Sequence, residues 1–224
     1  LQFEDIKAFE TEIKKGDVCA VILEAIQGVG GLDEPSGKFF REIAALCKNY
    51  GVVLIADEVQ SGFGRSGAFF AFQHNDIEPD IITIAKGMGN GFPVGGVLIH
   101  KSIEASYGML GTTFGGNHLA CTAVLAVLEV LEKEKLIENA EKLGKYFKEK
   151  AKEIPQVKEI KGKGLMLGLK FDFEVADLRK RLIHNQHLFT GGAKDKQVLR
   201  ILPALTINEK DLDLFFEALK NELQ

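Results

Sequence analysis

The chain has 224 residues, 46% of them hydrophobic and 27% charged, with a formal net charge of −4. That balance suits a soluble globular protein of one large or two small domains. It offers no support for nucleic acid or an anionic membrane as partner, since both call for clustered basic charge. No apolar run approaches the roughly 20 residues of a membrane span, and Leu1-Gln2-Phe3-Glu4-Asp5 is not a signal peptide. The three cysteines, Cys19, Cys47 and Cys121, are odd in number and widely spaced. They read as reduced core residues of a cytoplasmic protein, not as a disulfide frame. His184 and His187 have no further ligands clustered with them, so no metal site is expected.

In chain order, residues 3–15 carry apolar and charged residues at helical spacing, ending before Gly16. Val18 to Glu24 is a short, β-branched apolar run and predicts a buried strand. After a loop, Gln27-Gly28-Val29-Gly30-Gly31, the stretch Phe39 to Tyr50 places Phe40, Ile43, Ala44 and Cys47 on one helical face and stops at Gly51. Val52–Ala56, Ile81–Ala85 and Val94–Ile99 predict further strands. Uninterrupted apolar strands alternating with helix predict an α/β fold whose mostly parallel sheet is covered on both faces. His118 to about Ile154 reads as one long helical tract, turning lysine- and glutamate-rich after Glu132. A domain boundary is therefore expected near residue 130, with that charge run a solvated helix face. Beyond it, Leu165–Phe173 and Val198–Leu202 read as strands, Ala176–His187 and Glu209–Leu223 as helices.

Two residues at strand ends carry the chemistry. Asp57 closes Val52-Val53-Leu54-Ile55-Ala56, and Lys86 closes Ile81-Ile82-Thr83-Ile84-Ala85. A carboxylate ending so apolar a run is costly unless something positive meets it. Alone, Asp57 would read as a helix cap or a structural ion pair. With Lys86 one loop and one return strand downstream, and Gln60 three residues on, the pair fits pyridoxal 5'-phosphate. A lysine amine condenses with the aldehyde, and an acid keeps the pyridine nitrogen protonated. Gly87-Met88-Gly89-Asn90-Gly91 lets backbone approach a bulky group beside Lys86, and desolvation there is expected to expose its neutral amine.

Three motifs resemble one family. Asp57-Glu58-Val59-Gln60-Ser61-Gly62-Phe63-Gly64-Arg65, Ala85-Lys86-Gly87 and Gly111-Thr112-Thr113-Phe114-Gly115-Gly116-Asn117 are similar to those of class III aminotransferases, nearest the acetylornithine type, in order and spacing. The resemblance runs from near the first residue to near the last. It implies the pyridoxal-phosphate-dependent transferase fold of type I aminotransferases: residues 1–130 as the C-terminal portion of the large cofactor-binding domain, with its mostly parallel sheet, and 131–224 as a small α+β C-terminal domain. Against the family the sequence begins mid-domain, so the glycine-rich phosphate loop and the aromatic that stacks on the cofactor are expected upstream of Leu1.

The same resemblance implies the residue roles. Lys86 and Asp57 are catalytic. Asp57, Glu58, Val59, Gln60, Lys86 and Thr113 bind the cofactor, with Gln60 at the ring's phenolic oxygen, Val59 on its face and Thr113 at the phosphate across a homodimer interface. Thr112 and Arg200 contact substrate, Arg200 gripping the α-carboxylate with its planar fork. The implied reaction moves the terminal amine of N-acetylornithine, or a related N-acylornithine, to a 2-oxo acid in arginine biosynthesis. Ornithine, succinylornithine and 4-aminobutyrate are alternative donors, and a catalytically incomplete fragment is the alternative from outside enzymology. One departure stands out: Val29 occupies the place of a family glutamate that pairs with the carboxylate-binding arginine. Arg200 is therefore expected to stay unpaired, with altered substrate selection, while Glu24 is retained as an outlying carboxylate. Gly62-Phe63-Gly64-Arg65-Ser66-Gly67 also matches a dinucleotide glycine string. It does not follow its strand at once, however, and an aromatic cluster comes after it, which argues against that use.

Overall fold

A computed structural model describes residues 3–224 and divides them into two compact units. The first holds the chain up to Ala25, Pro35–Phe63 and Phe70–Glu134; the second holds Ile26–Glu34, Gly64–Phe69 and Lys135–Gln224. The main division thus falls just after Glu134, but two short loops from the first half belong to the second unit.

The first unit runs α1 (Ile6–Ile13), β1 (Ala20–Leu23), α2 (Gly37–Tyr50), β2 (Val53–Asp57), β3 (Ile81–Ile84), β4 (Gly96–Ile99) and α3 (His118–Lys133). The strands lie in the order β1-β2-β3-β4, the first three parallel and β4 antiparallel. Ser36 starts α2 by accepting a hydrogen bond from the Phe39 N–H, and Gly51 ends it with φ 67°, a left-handed turn that suits glycine. The α2 face of Phe40, Ile43 and Cys47 is buried, as are Leu54 and Ala56 on β2. The other sheet face carries the cross-strand row Ile22, Ile55, Ile81 and Ile99, and Ile22 is 60% exposed. The expectation of a sheet covered on both faces therefore fails for the described residues: this chain supplies a cover for one.

The long helical tract is also two helices. α3 ends at Lys133, Lys135 adopts φ 52°, and α4 (Leu136–Ala151) begins anew. Three consecutive long polar side chains give no sequence sign of this break.

The second unit contains α4, β5 (Glu159–Lys163), β6 (Met166–Lys170), α5 (Ala176–Gln186), β7 (Gly191–Gly192), β8 (Val198–Ile201) and α6 (Glu209–Glu222). Its sheet is antiparallel throughout, in the order β5-β6-β8-β7. The core joins Leu143, Phe147 and Ala151 of α4 to Leu167, Leu169 and Leu199 of the sheet and to Leu212, Phe215, Phe216 and Leu219 of α6. Asn208 and Asp211 form a reciprocal cap at the start of α6. β5 and β7 escape sequence reading. One is Glu-Ile-Lys-Gly-Lys and the other two glycines, and neither has strand propensity.

Candidate active site

Alternation along β2 decides which way Asp57 faces. Leu54 and Ala56 are buried, so Val53, Ile55 and Asp57 occupy the opposite face. Register pairs Asp57 with Thr83 on β3, and the Glu58 N–H donates to the Thr83 carbonyl at 3.0 Å. β2 and β3 are parallel, so their C-terminal ends meet at one edge of the sheet, and Lys86 follows Thr83 by three residues. Lys86 opens a 3-10 turn, Lys86–Met88, with φ 46°. A left-handed lysine is strained, and such strain collects at functional positions. The side chain is exposed, so the described residues do not supply the expected desolvation. It lines an open pocket of about 470 Å³ with Gly87, Asn90, Gly91, Phe92, Pro93 and Val94.

The loop leaving β2 lies against the Lys86 segment. A methyl group added at Gly87 would stand 3.6 Å from Phe63 Cβ and 3.9 Å from the Gly62 carbonyl. Asp57 Oδ1 accepts from the Val59 N–H at 3.0 Å. Glu58, expected among the cofactor-binding residues, is 1% exposed, and its carboxylate is hydrogen-bonded within the protein. Oε2 accepts from Ser61 Oγ at 2.7 Å and from the Ala71 N–H at 2.9 Å; Oε1 accepts from the Phe72 N–H at 2.8 Å. Burial pushes its carboxyl above the ordinary 4.5, and those three hydrogen bonds pull it back.

Thr112 and Thr113 are exposed, and Thr112 Oγ1 accepts from the Gly115 N–H, so this motif forms its own turn ahead of α3. The glycine string makes turns with φ 83° at Gly64 and 84° at Gly67, not the start of a helix. This geometry denies a dinucleotide the helix N-terminus it needs. Arg65 is held by the Leu165 and Pro203 carbonyls, and burial pushes its guanidinium down to about 10.

In the second unit, Arg200 on β8 is not unpaired. Nε donates to the Gly192 carbonyl and Nη1 to the Gly28 carbonyl, each at 2.6 Å. Backbone thus takes the guanidinium where the absent glutamate was expected to matter, while Val29 next door is 61% exposed. Burial, then the neighbouring Arg179, lowers the pKa of Arg200.

Sequence reading missed Thr83. Its hydroxyl is buried with no hydrogen-bond partner among the described residues, on the face that carries Asp57. A lone threonine in a β-branched strand gives no signal, because threonine is itself a good strand residue.

The aminotransferase class-III family model matches residues 1–223. The chain belongs to the class-III aminotransferase family. It is 41% identical over 217 residues to the acetylornithine aminotransferase of Bacillus subtilis, covering 95% of this chain and 56% of that protein. Among solved structures it is similar to the ornithine delta-aminotransferase of Plasmodium falciparum, with TM-score 0.89, 36% identity and coverage of 99% of this chain and 60% of the other. It is likewise similar to the acetylornithine aminotransferase of Elizabethkingia anophelis, with TM-score 0.86, 30% identity and coverage of 99% and 61%. The chain spans about half the length of the curated relatives it matches.

The first unit's strand ends fit the cofactor expected of a class-III aminotransferase. Asp57 keeps Oδ2 without a protein partner among the described residues, the Thr83 hydroxyl beside it is orphaned, and Lys86 makes no ion pair. A buried hydroxyl and a half-buried carboxylate oxygen left open on one face are what a polar heterocycle would complete.

Proposed function

We propose that this chain forms part of a pyridoxal-phosphate-dependent aminotransferase that moves the terminal amine of N-acetylornithine to 2-oxoglutarate, yielding a semialdehyde and glutamate, in cytoplasmic arginine biosynthesis. The observation that carries this reading is the placement of Asp57 and Lys86 at the C-terminal ends of adjacent parallel strands. When bound, the cofactor supplies an electron sink for charge developing at the substrate carbon. Asp57 accepts a charge-assisted hydrogen bond from the pyridine nitrogen and keeps it protonated. Lys86 supplies the amine that anchors the cofactor and, once released, carries a proton to and from the reacting carbon. Gln60 and Val59 position the ring, Thr113 takes the phosphate across a homodimer interface, and Thr112 lies toward substrate. Arg200 binds the α-carboxylate by exchanging its carbonyl partners for a bidentate pair. The similarity to ornithine aminotransferase structures supports ornithine as the second candidate donor.

The test is an absorption spectrum of the complete gene product with pyridoxal 5'-phosphate, followed by addition of N-acetylornithine and, separately, ornithine. A near-visible band that vanishes in Lys86→Ala and bleaches with N-acetylornithine is the expected result. A band that persists in Lys86→Ala refutes the assignment of the lysine. No band in the wild type marks a catalytically incomplete polypeptide.

A further inference from the structure

We propose that Glu58 is a positioning residue for cofactor binding: its buried carboxylate ties the turn after β2 to residues 71–72 and so holds Asp57 and Gln60 beside the Lys86 segment. This rests on the functional reading above for what is being positioned, but not for the tie itself.

Every polar group of Glu58 is used, each on a different neighbour. Its N–H donates to the Thr83 carbonyl at 3.0 Å, linking the end of β2 to β3. Its carbonyl accepts from the Gly62 N–H at 3.0 Å, closing the turn that contains Val59 and Gln60. Its carboxylate takes Ser61 from within that turn and the Ala71 and Phe72 amides from beyond it. Apolar contacts follow the same path. Phe63 meets Phe70 edge-on at 6.2 Å between ring centres, and Phe70 stacks on Phe72 at 5.7 Å.

The turn has little room to move. A methyl group at Gly62 would come 2.9 Å from the Glu58 carbonyl and 3.3 Å from the Phe70 ring. Gly62 and Phe63 are also what a methyl group at Gly87 would meet. The Glu58 network therefore sets the distance between the loop that bears Gln60 and the strained turn that bears Lys86. Asp57 is the residue immediately before it, so a shift at 58 is passed to the carboxylate meant for the pyridine nitrogen. A misplacement of about 1 Å at such a site costs on the order of a hundredfold in rate.

Three donors converge on two carboxylate oxygens, and glutamine cannot accept from all three. In Glu58→Gln one amide N–H faces a backbone N–H, and the tie to residue 72 or 71 is lost. Ser61→Ala removes only one donor and leaves both backbone ties. Ile43→Val, a core change in α2 of the same unit, serves as the control for general destabilisation.

Two readouts separate this inference from the functional one. In cofactor-free protein, amide hydrogen exchange in peptides spanning 59–63 and 70–73 should rise at least about tenfold in Glu58→Gln, with α2 unchanged. In equilibrium titration with pyridoxal 5'-phosphate, the dissociation constant should rise about tenfold or more in Glu58→Gln, about threefold in Ser61→Ala and less than twofold in Ile43→Val. Loosened exchange with cofactor affinity within twofold of wild type overturns the positioning role. So does unchanged exchange in the loop. If Glu58→Gln does not fold, Glu58→Asp, whose shorter side chain cannot reach the Ala71 and Phe72 amides as glutamate does, decides alone, and affinity unchanged from wild type there overturns the proposal. A wild type that binds no pyridoxal phosphate refutes both the functional reading and the role of Glu58 in cofactor binding. The exchange result then reports only on the tie.

Discussion

Asp57 lies directly across from Thr83 on neighbouring parallel strands, and among the described residues one has an unpartnered carboxylate oxygen and the other an unpartnered buried hydroxyl. An unsatisfied buried hydroxyl costs about 1–3 kcal/mol, and valine fills nearly the same volume without it. Thr83→Val is therefore expected to stabilise the cofactor-free protein by about 1 kcal/mol in urea unfolding. The further stabilisation gained on adding pyridoxal 5'-phosphate should shrink, because the hydroxyl finds its partner only in the bound protein. A variant less stable than wild type without cofactor would show that the hydroxyl already has a use.

Arg200 donates from Nε to the Gly192 carbonyl and from Nη1 to the Gly28 carbonyl, and Val29 is the residue next to that second acceptor. Val29→Glu places a competing carboxylate beside Gly28. Its pairing strength falls between an exposed ion pair of about 0.2–1 kcal/mol and a charge-assisted bond of about 1.5–3 kcal/mol. The expected outcome is a rise of roughly five- to tenfold in KM for the 2-oxo acid, with kcat little changed. Steady-state kinetics with both substrates varied would measure it, and unchanged donor and acceptor preferences would remove any role for position 29 in selection.

Glu58 gives stability an uncommon pH slope. Its folded pKa is raised above 4.5, mainly by burial. The folded chain then binds this proton more tightly than the unfolded chain does. The group's contribution is most favourable below 4.5 and declines as pH rises through the raised folded value. Urea unfolding from pH 4.5 up to about pH 7 should show the stability gap between wild type and Glu58→Gln narrowing as pH rises. A widening gap would mean that the three hydrogen-bond donors outweigh burial.

Gly144 on α4 packs against the turn at Gly164. Alanine is the better helix former by about 1 kcal/mol, yet a methyl group here would sit 2.4 Å from the Gly164 carbonyl oxygen. Backbone cannot yield as a flexible side chain can, so overpacking wins. Gly144→Ala should destabilise by about 1–3 kcal/mol, read as a lower urea midpoint with unchanged slope. Equal or greater stability would show that α4 can shift away from the turn.

Much of the architecture was legible in residue order. α2 and β2 showed as apolar periodicity punctuated by Gly51, and β3 as a β-branched run, because those signals are local. β5, β7 and the break at Lys135 were not legible, since polar and glycine-rich segments take their form from neighbours. The open isoleucine face was also invisible: apolar strands say that burial is favourable, not what provides it.

The sequence by itself determined that an acid and a lysine end two apolar strands, and which family that pattern belongs to, because strand ends and glycine turns are written in consecutive residues. Only the tertiary structure decided what each polar group does with its hydrogen bonds. The Glu58 carboxylate takes the Ala71 and Phe72 amides, which any sequence would offer. Arg200 found a partner 172 residues away in the Gly28 carbonyl. Backbone donors and acceptors are the same at every position, so their choice of partner leaves no trace in the side chains and emerges only once the chain has folded.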